Sequence, residues 1–236
     1  MSEPSDTKVI PSSLGPDSEG STGASSVTQG SGGGQMSTGP VHRDDFGARL
    51  GMWLFLVTEI VLFGGLFIGY SYMRFRYPAE FHHGGAELNA TLGVINTVVL
   101  LTSSLTVVLA IVAIQRAQKK LAMVFLGSTL ALGVTFLVIK SFEWGAKFHH
   151  GLYPNSAHLA TLPPGEQVFF GLYFTMTGLH GVHVLVGLGV LSVMLWWVAT
   201  DRVRQDRYIH LENSGLYWHL VDVIWIFLLP LFYLAA

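Results

Sequence analysis

Five long apolar segments, separated by short polar stretches, dominate the chain from residue 50 to its end. They are Leu50–Tyr72, Thr91–Ile114, Leu121–Phe142, Val168–Thr200 and Leu216–Leu234. A helix needs about 20 residues to cross the hydrocarbon core of a bilayer, and lipid offers no partner for unpaired backbone groups. The pattern therefore predicts an all-α polytopic membrane protein, a bundle of five transmembrane helices.

Residues 1–40 follow a different pattern, rich in Ser and Gly and without an apolar core segment. Such a stretch cannot bury enough apolar surface to offset the entropy lost on ordering. We therefore expect a disordered cytoplasmic tail over residues 1–40 and a membrane domain over residues 41–236. No secretory signal is visible in the tail, and Met36 is an alternative start.

Basic residues divide unequally between the two sides of the predicted bundle. The side that holds the N-terminus collects nine of them, the opposite side three, and one lies within the third segment: Lys8, Arg43, Arg49, Arg116, Lys119, Lys120, Arg202, Arg204 and Arg207; then Arg74, Arg76 and Lys147; then Lys140. Because cytoplasmic loops of membrane proteins carry an excess of Lys and Arg, we expect the N-terminus inside and the C-terminus outside.

Composition agrees with a membrane class and narrows the chemistry. Only 12% of residues are charged, against about 25% in an ordinary soluble domain, and half are apolar. The absence of cysteine excludes disulfides, thiolate metal sites and cysteine nucleophiles. A formal net charge of −2 gives no reason to expect nucleic-acid binding.

Glu59 lies alone in the middle of the first apolar segment, where a carboxylate is costly and marks a functional site by default. Counting about 1.5 Å per residue from the outer ends of the first and fourth helices places Glu59 and His183 at similar depth. We expect these two side chains to meet, with His180 one turn further out. A protonated Glu59 facing lipid is the alternative.

His180 and His183 share a helix face, which is compatible with packing or with metal or haem ligation. The only further intramembrane histidine, His219, lies near the opposite membrane face, which favours packing and predicts no metal site. His219 and Asp222 again share a face and could hold each other, a lipid amine or an arginine of another subunit. An ion pair of Lys140 and Glu143 is expected to be structural.

Sequence motifs of the common catalytic sites are missing from the chain. It has no phosphate-binding glycine loop followed by Lys, no Gly-x-Ser-x-Gly and no His-Glu-x-x-His. Two histidine pairs, His82–His83 and His149–His150, fall in predicted outer loops without a third ligand beside them. The sequence therefore predicts no catalytic residue in this chain and suggests a partner of an enzyme.

Four stretches of the chain carry a resemblance to a known family. They are Trp53-Leu-Phe-Leu-Val-Thr-Glu59, Ile95-Asn-Thr-Val-Val-Leu-Leu-Thr-Ser-Ser104, Thr177-Gly-Leu-His-Gly-Val-His-Val-Leu-Val-Gly187 and Gly215-Leu-Tyr-Trp-His-Leu-Val-Asp-Val-Ile-Trp225. In this order they resemble subunit III of the haem-copper terminal oxidases. The resemblance runs from about Arg43 to Ala236, and the last two stretches together are highly specific.

The resemblance implies a non-catalytic subunit of a respiratory complex that reduces oxygen to water and pumps protons. Haem and copper would then belong to subunits I and II, and this chain would bind phospholipid and support stability and proton uptake by subunit I. A small subunit IV is a further expected partner. The resemblance makes Glu59 and His183 a buried polar contact, and it places Trp53, Trp218, His219 and Asp222 near lipid or subunit I.

The number of helices departs from many members of that family, which have seven. This chain lacks the first two, unless another chain supplies them, and the five-helix form favours a bacterial plasma (inner) membrane. Three other interpretations remain: an independent proton or ion transporter using Glu59 and His183, a haem-binding anchor, and the related small subunit of a nitric oxide reductase.

Overall fold

The structure, a computed structural model, describes residues 45–154, 156–203 and 208–234, with side chains from residue 47 onward. The predicted tail and Met36 lie outside these residues. Six helices follow one another in this part of the chain: α1 (Asp45–Arg76), α2 (Pro78–Ala86), α3 (Ala90–Gln115), α4 (Lys119–His149), α5 (Pro164–Ala199) and α6 (Ile209–Leu229). A 3₁₀ turn covers Leu159–Thr161, and a π-helical segment, Pro230–Leu234, continues α6.

Five of these helices are long and apolar enough to cross a membrane: α1, α3, α4, α5, and α6 with its π-helical end. The predicted five-span, all-α architecture is thereby confirmed. Most helices extend beyond the predicted segments, because apolar runs report only the hydrocarbon layer while a helix continues into the polar layer beside it. Two differences are larger than the others: α4 ends at His149 rather than Phe142, and α6 begins at Ile209 rather than Leu216. The first two turns of α6 carry polar residues such as His210 and Glu212.

One helix was not predicted at all. The nine residues of α2 contain His82 and His83, which the sequence placed in a loop. Pro78 at the first helical position and Glu80 in the first turn favour a helix start there. The helix ends in Gly84, Gly85 and Ala86, and two successive glycines are not typical of a helix. Because α2 has only nine residues, it is too short to give a membrane-length apolar signal.

Consecutive spans α3, α4, α5 and α6 pack as neighbours, and α6 closes the group by packing against α3 as well. The short helix α2 lies against α5, whereas α1 contacts α5 and α6. Half of the most apolar 18-residue stretch of α6 is buried, against 11% of the corresponding stretch of α1. The core of the bundle is therefore centred on α6, and α1 lies at its periphery.

Close approach of the helices depends on glycines that face large aromatic side chains. The fully buried ring of Trp218 on α6 lies over Gly133 on α4 and Gly187 on α5. A Cβ atom added at Gly187 would lie 2.8 Å from Trp218 Cε3, and one at Gly133 would lie 2.9 Å from Trp218 Cη2. Small residues at these two positions thus let three helices meet around one indole, as is common in membrane interfaces.

We expect Gly187→Ala to destabilise the folded chain by about 1–3 kcal/mol, the usual cost of overpacking a filled core. Gly189→Ala is the matched control, because a Cβ there meets nothing within 4 Å. Thermal unfolding of the two variants in the same detergent measures the difference. Equal loss of stability in both variants would show that the indole has room to move.

Candidate functional site

Glu59 and His183 meet between α1 and α5. His183 Nε2 lies 2.9 Å from Glu59 Oε2, and both side chains are largely buried, with exposed fractions of 14% and 13%. The ring of Phe63, one turn along α1, packs edge-on against His183 at 5.4 Å. The contact thus joins the peripheral helix to the rest of the bundle in the middle of the span.

The hydrogen bonds of His183 determine how many protons the pair shares. His183 Nδ1 lies 2.8 Å from the carbonyl oxygen of Leu179, and because a carbonyl only accepts, Nδ1 must carry a hydrogen. The Nε2–Glu59 bond then needs one proton, held either by a neutral carboxyl group or by an imidazolium ring. In both forms the pair has no net charge, which reduces the cost of placing it inside a bilayer.

His180 is not part of this contact, contrary to the prediction. Its ring lies between Phe136 of α4 and Trp225 of α6, at centroid distances of 5.6 and 5.2 Å, and it is 1% exposed. Neither ring nitrogen has a hydrogen-bond partner among the described residues. Residues three apart are offset by about 60° around a helix, and this offset is enough for His180 to face α4 and α6 while His183 faces α1.

Trp218 and Asp222 also differ from their predicted position near lipid or subunit I. Trp218 is completely buried and donates its indole N–H to Ser103 Oγ at 3.0 Å. Asp222 is 3% exposed and interacts with Ser104 of α3. The sequence could not separate these residues from surface positions, because apolar residues are spread around all faces of α6.

A row of hydroxyl groups on α3 forms hydrogen bonds with polar side-chain atoms of α6. Trp225 Nε1 donates to Thr97 Oγ1 at 3.0 Å, seven residues along α6 from the Trp218 that donates to Ser103. Ser104 Oγ lies 2.6 Å from His219 Nδ1. His219 therefore bonds to α3 and not to Asp222, the partner that its spacing on the helix suggested.

Trp53 and His219 line a cleft between α1, α3 and α6 at the predicted cytoplasmic end. The cleft has a volume of about 330 Å³ and is bordered by the Arg49–Glu212 ion pair, whose nitrogen and oxygen are 3.1 Å apart. Trp53 is 59% exposed, as expected for a residue that faces lipid or a partner. Its lining combines apolar side chains such as Ile111 and Leu216 with the charges of Arg49 and Glu212.

A second polar cluster, larger than the sequence indicated, lies in the predicted outer half of the bundle. Lys140 Nζ donates to Glu143 Oε2 at 3.0 Å, to Tyr173 OH at 3.1 Å and to Tyr233 OH at 2.6 Å. Both tyrosine hydroxyls donate in turn to Glu143 Oε1, at 2.8 and 2.5 Å. The ion pair was predicted, but its two tyrosine partners were not. Their position inside apolar segments is the signal that could have found them.

The described residues contain no group of three or more His, Asp or Glu side chains placed to hold a metal ion. The intramembrane histidines do not converge on a common point. His183 uses both ring nitrogens, His180 packs between two aromatic rings, and His219 bonds to Ser104. The arrangement can align helices and hold a proton at Glu59–His183, and it does not fit a haem with axial histidines.

Comparison with known proteins agrees with the motifs in α1, α3, α5 and α6. A family profile described as "Cytochrome c oxidase subunit III" matches residues 35–236. The chain is 33% identical over 188 residues to cytochrome c oxidase subunit 3 of Alkalihalophilus pseudofirmus, covering 79% of this chain and 86% of that protein. The chain belongs to the cytochrome c oxidase subunit III family.

The names of two other relatives refer to other oxidase assemblies. Cytochrome bo(3) ubiquinol oxidase subunit 3 of Pseudomonas aeruginosa is 29% identical over 197 residues, covering 83% of this chain and 89% of that protein. Haem-copper oxidase subunit I+III of Aeropyrum pernix is 27% identical over 193 residues, covering 79% of this chain. The chain spans 22% of that longer protein. The family to which the chain belongs is therefore that of subunit III of haem-copper oxidases.

A double-mutant cycle tests whether Glu59 and His183 act as a pair. Glu59→Met and His183→Leu should each lower the free energy of unfolding, and the double variant should lose less than the sum. Polar contacts between membrane helices give coupling energies of about 0.6–1.7 kcal/mol in such cycles. Chemical unfolding in mixed micelles measures the four states.

Thr58→Val provides the control for this cycle. The Thr58 hydroxyl bonds only to the Phe55 carbonyl oxygen of its own helix, at 2.7 Å. Its cycle with His183→Leu should be additive. Additive losses for Glu59 and His183 as well would mean that the 2.9 Å contact contributes nothing to the association of α1.

Proposed function

We propose that this chain is the non-catalytic subunit III of a respiratory haem-copper oxidase in a bacterial plasma membrane. In that role it assembles with subunits I and II, and with a small subunit IV where one exists. Those partners carry haem and copper and perform oxygen reduction to water coupled to proton pumping. This chain stabilises the complex, binds phospholipid and supports proton uptake by subunit I.

The family match over residues 35–236 is the observation that carries this proposal. The fused relative named subunit I+III supports a direct association of the two subunits, since the name assigns both to one chain. The positions of the described histidines support a role without a redox centre, because these histidines do not come together with other potential ligands in a group that could hold a metal ion. The electron donor is then a property of the partner subunits.

Phospholipid binding is supported by the surface of the bundle on the predicted cytoplasmic half. The cleft at Trp53 and His219 is lined by apolar side chains together with Arg49. A guanidinium group beside apolar walls suits a phosphate headgroup with its acyl chain below. The charge of Arg49 is shared with Glu212, so a zwitterionic headgroup fits better than a strongly anionic one.

Purification in mild detergent through a tag on the N-terminal tail tests the proposed assembly. Mass spectrometry should identify haem-copper subunits I and II among the co-purifying chains, and the preparation should show haem absorption. Identification of subunit II also reveals whether cytochrome c or a quinol donates electrons. A stable, colourless chain recovered alone would refute the oxidase role and favour an independent transporter.

Glu59→Ala should leave the first turnovers of the purified complex nearly unchanged and shorten its active life. The expected reason is that Glu59 bonds to His183 of the same chain and fixes α1, which affects the stability of this subunit. Oxygen consumption followed from the initial rate to inactivation measures both quantities, with Thr58→Ala as the neighbouring control. An immediate loss of initial rate or of the haem spectrum would contradict the assignment.

A further inference from the structure

The π-helical end of the chain, Pro230–Leu234, connects parts of the bundle that are far apart in sequence. Pro230 has no backbone N–H, so the hydrogen-bond ladder of α6 cannot continue unchanged through it. Three successive residues then each meet a different partner. The Leu231 carbonyl accepts a hydrogen bond from α1, the Phe232 ring enters an aromatic cluster, and the Tyr233 hydroxyl enters the Lys140 cluster.

Tyr233 is held firmly because its hydroxyl has two charged neighbours in a dry site. It accepts from Lys140 and donates to Glu143, both of α4, which are 6% and 4% exposed. All three Lys140 N–H groups are used, so the cluster has no spare donor. Removing one member of such a buried charged group leaves the others unsatisfied, which makes the geometry strongly preferred.

Tyr70 forms the outer attachment of α1 to this segment. Its hydroxyl donates to the Leu231 carbonyl oxygen at 2.6 Å, and its ring, completely buried, packs edge-on against Phe232 and Phe81 at 4.9 and 5.2 Å. The Leu231 carbonyl is available because carbonyl groups at a helix end lack a partner in the next turn. The attachment is thus built on the backbone of the segment that Tyr233 fixes.

The attachment of α1 depends on few contacts of this kind. Only 11% of its most apolar stretch is buried, and apolar packing gives little preference for protein over lipid. Polar bonds hold it at three depths: Arg49–Glu212 and Asn213–Ala48 at one end, Glu59–His183 in the middle and Tyr70–Leu231 at the other end. Loss of the last would leave the outer third of α1, including the helix end at Arg76, attached through ring contacts.

We propose that the π-helical C-terminal segment is a latch that seats α1: the Lys140–Glu143 pair fixes Tyr233, and the fixed segment presents the Leu231 carbonyl to Tyr70. The position of α1 then depends on residues of α4 through the last turn of the chain. A change at Tyr233 therefore acts on α1 as a change at Tyr70 does, since the two tyrosines belong to one connection.

The test uses the full-length chain in lipid nanodiscs and exploits the absence of native cysteine. Spin labels on cysteines introduced at Tyr72 and Phe142, which are 64% and 76% exposed, report the distance between α1 and α4. A second label pair, at Phe142 and Val182, reports α4 against α5. Pulsed electron paramagnetic resonance gives the distance distribution of each pair.

Tyr233→Phe and Tyr70→Phe should each raise the long-distance component of the Tyr72–Phe142 pair about fivefold, the factor expected when a single hydrogen bond is lost. The double variant should resemble the worse single variant, because both changes break one connection. The Phe142–Val182 pair should stay unchanged in all variants. Ser141→Ala, which removes a hydroxyl bonded only to the Leu137 carbonyl oxygen of its own helix, is the matched control.

Three results would overturn the latch. Unchanged α1 distances in Tyr233→Phe would show that the segment does not seat α1. Additive effects in the double variant would show that the two tyrosines act separately. Equal broadening of the Phe142–Val182 pair would show a general loosening of the bundle, in which α1 has no special dependence on the C-terminal segment.

Discussion

Lipid tails solvate an apolar side chain about as well as another helix does, so burial of apolar surface gives the spans little reason to associate. The bundle depends instead on close backbone approach and on polar groups that lipid cannot satisfy. Gly133 and Gly187 provide the approach around Trp218, and Ser103 accepts the indole hydrogen. A single residue of α6 thereby contacts α3, α4 and α5, which explains why α6 lies at the centre.

The same constraint explains the neutrality of the polar contacts in the membrane. Glu59 and His183 share one proton, and Lys140 is matched by Glu143. Tyr173 and Tyr233 fill the remaining hydrogen-bond positions of the second pair, so that neither charge has an unsatisfied donor or acceptor facing hydrocarbon. Each group lies between different helices, and each therefore favours one arrangement of those helices over alternatives that would leave a charge unpaired.

Apolar periodicity was enough to predict the spans and their order, because about 20 residues of helix are needed whatever the fold. It could not predict α2, whose nine residues are too few to give a membrane signal, or the polar first turns of α6. Depth counting brought Glu59 and His183 to one level, since 1.5 Å per residue applies to any helix. It said nothing of rotation about the helix axis, and the expected positions of His180 and Trp218 failed for that reason.

The rotation of each helix about its axis is set by how its side chains pack against other helices. These contacts join residues that are far apart in the sequence, so the sequence does not show them directly. The resemblance placed Trp218 near lipid or subunit I, yet its ring fills the space above two glycines on other helices. Tyr173 and Tyr233 are 60 residues apart, and nothing local indicates that both hydroxyls reach Glu143. Contacts of this kind follow from the assembled bundle, so the chemistry at Lys140 could be anticipated only as an isolated ion pair.

In the proposed role, this chain influences turnover only by changing the relative free energies of states of its partners, since an interaction equal in all states shifts none of them. The peripheral helix is the part of this chain best suited to such an effect. Its polar attachments are few and lie at three different depths, so those at one depth can break while the others hold. A rigidly packed helix such as α6 could contribute stability to a complex, whereas α1 could also respond to it.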